Sequence, residues 1–122
     1  MSKGILQLAD VVAALCGIRP EALDVPLTDT VIDSRECGPG TLFVALQGES
    51  TDGHLYVQDA LSRGAVAAIV ERDIQVDAPV LDLTQRNPVL PEIWSSPLVL
   101  RTSSSIGSLQ RVAGYWRLQH DV

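Results

Sequence analysis

The sequence predicts a layered α/β domain, with a small mixed or mostly parallel sheet flanked by helices. Three observations predict it. Short apolar runs of strand length alternate with stretches of helical spacing. The run Leu42 to Leu46 is apolar throughout, as in a strand covered on both faces. The chain has 122 residues, 46% hydrophobic and only 4% aromatic, which suits one core of Val, Leu, Ile and Ala.

The elements follow in order. Leu8, Val11, Val12 and Leu15 recur at i, i+3, i+4 and i+7, and Gly17 is a natural stop for that helix. Residues 18–30 carry two prolines and scattered acids and read as a connection. The β-branched run Thr30-Val31-Ile32-Asp33 predicts a strand that ends in Asp33-Ser34-Arg35. Gly38-Pro39-Gly40 is a turn, and Thr41 to Leu46 a second strand. A polar loop, 47–53, precedes a helix from His54 to Arg63 with Val57, Ala60 and Leu61 on one face. Gly64 ends it, and Ala65 to Val70 is another strand. The stretch 71–97 is broken by prolines, with Val80-Leu81 as a short strand; Leu98-Val99-Leu100 is one more. Ser103-Ser104-Ser105 offers N-cap hydroxyls to a last helix on which Ile106, Leu109, Val112, Ala113 and Trp116 form the apolar face. Trp94, Trp116 and Tyr115 read as packing residues. No repeats or low-complexity segments interrupt the pattern, which is one domain over 1–122.

Charge and composition exclude several functions. The formal net charge is −6, so long-range attraction to nucleic acid or an anionic membrane is not expected. No run reaches the roughly 18–20 apolar residues of a membrane span, and Met1 to Asp10 lacks the basic start and long apolar core of a signal peptide. A cytoplasmic protein is the expectation. Cys16 and Cys37 lie in no CxxC or Cys/His pattern, and read as reduced thiols with no metal site. The acids Glu21, Asp24 and Asp29, and those of 71–82, read as solvated loop charges.

The candidate site is the loop Gly48-Glu49-Ser50-Thr51-Asp52-Gly53-His54. It follows a buried strand and opens a helix, where ligands collect beyond the carboxyl ends of strands and helix N–H groups face an anion. Ser50 and Thr51 add hydroxyls, and the glycines let a ligand approach the backbone. On spacing alone the simpler reading is an ordinary strand-to-helix loop, in which Asp52 caps and His54 is solvated. No GxxxxGK[ST] sequence occurs, so ATP is not held here by a P-loop. If the first two strands are neighbours, Ser34 shares a sheet edge with this loop and can donate to a phosphate or a base carbonyl. Arg35 can pair with Asp33, Asp52 or a phosphate, the ion pair inside a turn being the simpler reading. No Ser/His/Asp order or histidine pair suggests catalysis.

Taken together, Ile32-Asp33-Ser34-Arg35, then Gly38 to Leu46, Gly48, Asp52-Gly53-His54, Ala60 and Gly64-Ala65 resemble the N-terminal domain of the MurE and MurF ligases. Several short motifs in fixed order make the resemblance specific. The helix Ser108 to Arg117, with its Leu109-Gln110 and Trp116-Arg117 pairs, is similar to the one preceding the ATP-binding domain of MurF, and so favours MurF over MurE. The chain departs from the pattern at Thr102 to Ser105, where the family carries an acidic pair, and in a longer 73–97 segment.

The resemblance implies a binding role within a cell-wall ligase. Such enzymes join D-alanyl-D-alanine to a UDP-N-acetylmuramoyl tripeptide with ATP and magnesium, which the central and C-terminal domains hold. It implies that this chain carries no catalytic residue, metal or cofactor of its own, is inactive alone, and packs on the central domain of its full-length protein. Ser34, Gly48, Glu49, Ser50 and Thr51 would touch UDP; Asp52, Gly53 and His54 would shape the loop, and Arg35 would support it. A free-standing nucleotide-binding module and a structural domain with an inert loop remain the alternatives.

Overall fold

A computed structural model describes residues 6–120, and their side chains as far as 118. The N-terminal stretch read as no signal peptide therefore lies partly outside the described residues. Helix α1 spans Leu8–Cys16 and ends at Gly17, whose φ of 83° is the left-handed cap conformation that glycine adopts without strain. At its start, the Gln7 N–H donates to the Asp10 carboxylate at 2.9 Å. The strands are β1 (Asp29–Val31), β2 (Thr41–Val44), β3 (Ala67–Val70), β4 (Val80–Asp82) and β5 (Leu98–Arg101). Helix α2 covers Val57–Ser62 and α3 Ser105–His120.

The five strands form one sheet in the order β1-β2-β3-β5-β4, and every pairing is parallel. Of the two expected alternatives, mixed or mostly parallel, the sheet takes the parallel limit. Its central strands are covered on both sides, and their alternation sorts the core into two layers. Leu42, Val44, Ala67, Ile69, Leu98 and Leu100 pack with α1 and with Val112 of α3. Phe43, Ala45, Ala68, Val70 and Val99 pack with Val57 and Ala60 of α2. Burial on both faces is why these runs read as continuous apolar segments.

Boundaries differ from the expectation where polar side chains take over the backbone. β1 stops at Val31 because Asp33 caps a 3₁₀ turn, Ser34–Glu36, accepting the Arg35 N–H at 2.9 Å. β2 stops at Val44, and Gln47 instead forms an isolated bridge with Asp52. The helix expected from His54 begins as a 3₁₀ turn, Gly53–Tyr56, and becomes α-helical only at Val57. The face of α3 is also shifted. Ile106 is half exposed and Ala113 exposed, while Ser105, Ser108 and Val112 are buried. Two serines begin the buried face, so apolar spacing alone misplaces it. Ser104 caps this helix, its Oγ accepting the Gly107 N–H at 2.9 Å. Trp94 packs against the α1 side of the core, and Cys16 and Cys37 are free thiols.

Candidate functional site

Because β1 and β2 are parallel neighbours, the segments leaving their carboxyl ends lie side by side. Between them is a cleft of about 720 Å³. The β1 side supplies Ile32, Asp33, Ser34 and Arg35; the β2 side supplies Leu46, Gln47, Gly48, Thr51 and Gly53. Phe43, Tyr56 and Asp59 complete the lining.

The 47–53 turn is tight. The Gly48 N–H donates to the Thr51 carbonyl at 2.7 Å, and the Gly53 N–H to the Leu46 carbonyl at 2.8 Å. Residues 47–51 are all exposed, so hydrogen bonds rather than packing hold this turn. Ser34 is different: it is buried, and its hydroxyl donates to the Asp59 carboxylate. That bond, followed by the pairing with Arg63 (3.0 Å), holds the Asp59 carboxyl below the usual range. The Ser34 proton is thus committed, and its oxygen is left as an acceptor. The sequence suggested a donor there; the partner that decides it, Asp59, is twenty-five positions away.

Arg35 takes the turn ion pair. Its Nη2 meets Asp33 Oδ2 at 2.8 Å, and with the Arg35 backbone N–H this brings the half-buried Asp33 carboxyl to about 2. Asp52 and His54 do not line the cleft. His54 is buried and not solvated, contrary to the simpler expectation. Its Nδ1 lies 2.8 Å from Asp52 Oδ1, and its Nε2 accepts the Glu71 N–H at 2.9 Å. Arg72 pairs with the other Asp52 oxygen. Burial pushes the Asp52 carboxyl up, but bonds from the His54 ring, the His54 N–H and Arg72 outweigh it and bring the group to about 2. Glu71 is not merely a solvated acid either: its Oε2 accepts the Ser105 N–H at 2.7 Å at the start of α3.

The lowered Asp52 carboxyl has a pH signature. The unfolded carboxyl, near 3.8, takes up its proton before the folded one, near 2. Stability from this pair is therefore full above about pH 4 and falls as pH drops towards 2. Urea unfolding across that window is expected to show a shallower pH slope in Asp52→Asn than in the native chain. Equal slopes would mean the carboxylate contributes nothing.

Of the nine candidate residues, the fold brings Ser34, Arg35, Gly48, Thr51 and Gly53 to the cleft. Glu49 and Ser50 stand exposed at the tip of the turn, outside its lining. The sequence reading missed Ile32, Phe43, Leu46, Gln47, Tyr56 and Asp59. Asp59 was hidden as half of an i,i+4 surface pair with Arg63. Ile32 and Tyr56, 59% and 45% exposed, look like ordinary strand and helix residues until the cleft places them on its wall.

A second concavity of about 820 Å³ lies between β1 and α3, lined by Leu6, Leu27, Leu109, Val112 and Trp116 among others. It meets β1 at Asp29 and Thr30, the start of the strand, and is largely apolar. Among the described residues no cluster of three or more His, Cys, Asp or Glu is arranged to hold a metal ion. No described helix is long and apolar enough to cross a membrane.

Comparison with known proteins gives a consistent family. The chain is 41% identical over 58 residues to a UDP-N-acetylmuramoyl-L-alanyl-D-glutamate--2,6-diaminopimelate ligase of Bacillus licheniformis, covering 48% of this chain and 12% of that protein. The ligase of the same description from Agrobacterium fabrum is 48% identical over 52 residues, 43% of this chain and 11% of its own length. Among solved structures, MurF from Acinetobacter baumannii shares the fold over 96% of this chain and 22% of its own, with a TM-score of 0.61 and 21% identity. MurF ligase from Thermotoga maritima, solved in complex with ADP, is 28% identical with a TM-score of 0.52, over 70% of this chain and 16% of its own. The chain thus spans about an eighth of the length of these two sequence relatives. The model of the Mur ligase family, catalytic domain, matches residues 28–99, which hold β1, β2, the cleft between them, α2, β3 and β4. The chain belongs to the Mur ligase family.

Proposed function

We infer that this chain is the substrate-binding N-terminal domain of an ATP-dependent peptidoglycan-precursor ligase, and that its cleft holds the UDP end of a UDP-N-acetylmuramoyl peptide. The observation that carries the reading is the convergence of Ser34 with the Gly48–Gly53 turn on one cleft. Its chemistry suits a uridine. Ile32 and Tyr56 supply an apolar wall, and the Ser34 oxygen supplies an acceptor for a ring N–H. Uracil carries such a donor at N3, whereas cytosine has an acceptor there. The Thr51 hydroxyl and the backbone of the turn stand beside it for the diphosphate. Glu49 and Ser50 reach a longer ligand only as it leaves the cleft, over the tip of the turn.

Such a site binds and positions; it does not catalyse. Fixing the nucleotide far from the reacting carboxylate turns binding energy into orientation at the reaction centre. ATP and magnesium are held by other parts of the whole protein, with which this domain packs, and the enzyme works in the cytoplasm. The addition of D-alanyl-D-alanine, as in MurF, is the reading favoured by the Leu109-Gln110 and Trp116-Arg117 pairs. The 41% and 48% identical diaminopimelate ligases favour addition of the third amino acid, as in MurE. Assay of the whole protein with UDP-N-acetylmuramoyl dipeptide plus diaminopimelate, against tripeptide plus D-alanyl-D-alanine, separates the two.

The cleft itself is tested by titrating the ¹⁵N-labelled chain with UDP and CDP. UDP is expected to shift Ser34, Gly48 and Thr51 and to bind weakly, in the high-micromolar range or above, because the remainder of the site belongs to other domains. CDP should bind several-fold more weakly, and Ser34→Ala should erase that preference. If Ser34→Ala and Thr51→Ala both bind UDP as the native chain does, the cleft is not the site.

A further inference from the structure

The 47–53 turn is tied from behind by groups that do not touch the cleft. Asp52, His54, Glu71 and Ser105 are all absent from its lining. Yet they form a ring of hydrogen bonds that meets the turn at both ends. At its entry, the buried Ser105 hydroxyl donates to the Ala45 carbonyl at 3.0 Å. The Ser105 N–H, at the first residue of α3, donates to Glu71 Oε2 at 2.7 Å. The Glu71 N–H donates to His54 Nε2 at 2.9 Å, and His54 Nδ1 meets Asp52 Oδ1 at 2.8 Å, at the exit of the turn. A backbone N–H can only donate, so Nε2 is the accepting nitrogen and Nδ1 carries the proton given to Asp52.

We propose that Glu71 and His54 are positioning residues: by closing this ring between the first turn of α3 and Asp52, they hold the 47–53 turn in the shape that receives a nucleoside diphosphate. The proposal rests on the uridine-diphosphate reading of the cleft. The exposed turn has little packing of its own, so its shape follows from the bonds at its ends.

The consequence runs against simple electrostatics. Removing an acid from the neighbourhood of an anion site should strengthen anion binding. If Glu71 acts instead through its bond to Ser105, Glu71→Ala weakens UDP binding, by about three- to tenfold, the scale of one typical net hydrogen bond. Glu71→Gln keeps an oxygen acceptor and restores binding close to the native value. Glu71 is exposed, so both variants are expected to fold, and amide dispersion checks this. The readouts are the UDP dissociation constant from NMR titration of the 122-residue chain, the ¹⁵N spectrum of the His54 ring, and hydrogen exchange at the Gly48 and Gly53 amides. Weaker binding and faster exchange in Glu71→Ala, rescued in Glu71→Gln, with the proton on Nδ1 of His54, support the proposal. Unchanged or tighter binding in Glu71→Ala, a Glu71→Gln variant as weak as Glu71→Ala, or a proton on Nε2, overturns it. A native chain that shows no UDP shift at millimolar ligand overturns the reading of the cleft, and with it the ligand half of this proposal. The exchange rates then judge the tie alone, and equal rates in all three proteins overturn that too.

Discussion

Replacing Phe43 by alanine is expected to cost about 3–5 kcal/mol, the range for truncating a fully buried aromatic side chain. Phe43 is the only phenylalanine of the chain and has no exposed surface. It stands in the middle of one rung of the sheet, Val31–Phe43–Ala68–Val99, running across β1, β2, β3 and β5. Its neighbours on the rung are Val31 and Ala68, and in the same core layer Val57 and Ala60 of α2 pack with it. The buried members of this layer are otherwise all valine or alanine, which fill little of the space a lost ring would leave, so a cavity term adds to the lost burial. A loss of this size is a large part of the stability of a small domain. The thermal midpoint should fall by roughly 10–20 °C. Phe43→Leu, which keeps most of the volume, should lose only about 1–1.5 kcal/mol. A Phe43→Ala chain melting within a few degrees of the native one would show that the α2 layer is not packed as described. Phe43 also floors the cleft, so the same variant should bind UDP poorly even where it remains folded.

Gly53→Ala is expected to abolish most UDP binding, at least tenfold, with about 1–3 kcal/mol of destabilisation from overpacking. A Cβ at this position would sit 2.9 Å from the Leu46 N, 3.1 Å from the Leu46 O and 3.2 Å from the Ala45 Cα. All three are backbone atoms at the exit of β2 and cannot swing aside as a side-chain end would. The turn must therefore lift, and the Gly53 N–H bond to the Leu46 carbonyl goes with it. Two glycines calibrate the result. At Gly48 the nearest contact is 3.3 Å, to the Thr51 carbonyl, and a milder effect is expected. At Gly114, inside α3, nothing lies within 4 Å, and Gly114→Ala should stabilise by about 0.5–1 kcal/mol through helix propensity. Titration calorimetry with UDP and urea unfolding measure all three. A Gly53→Ala chain that binds UDP like the native one would mean the turn tolerates displacement and does not shape the site.

The cleft was half legible. Asp33-Ser34-Arg35 and the Gly48–Gly53 turn stand out because each leaves a strand, and glycine, serine and aspartate mark such exits by local chemistry. Tyr56 and Asp59 did not stand out. Tyr56 ends the 3₁₀ turn and Asp59 lies on α2 beyond it, and their spacing is that of any solvent-facing pair. His54 was read as solvated, since a polar residue at a helix start is usually so; in the fold it is buried and bonded by the Glu71 N–H, seventeen positions on.

By itself, the sequence determined the three helices and five strands that carry the core, their α/β alternation, and the two exits that meet at the cleft. Apolar periodicity and glycine placement are local signals, and local signals suffice for elements and their ends. Tertiary structure decided the strand order, the parallel sense of every pair, the direction of the Ser34 hydroxyl, and the ring through Glu71 and Ser105. Those rest on bonds between groups such as Ser105 and Ala45, 60 positions apart. A hydrogen bond of that span imposes no pattern on the residues between, and only the folded chain brings its two ends together.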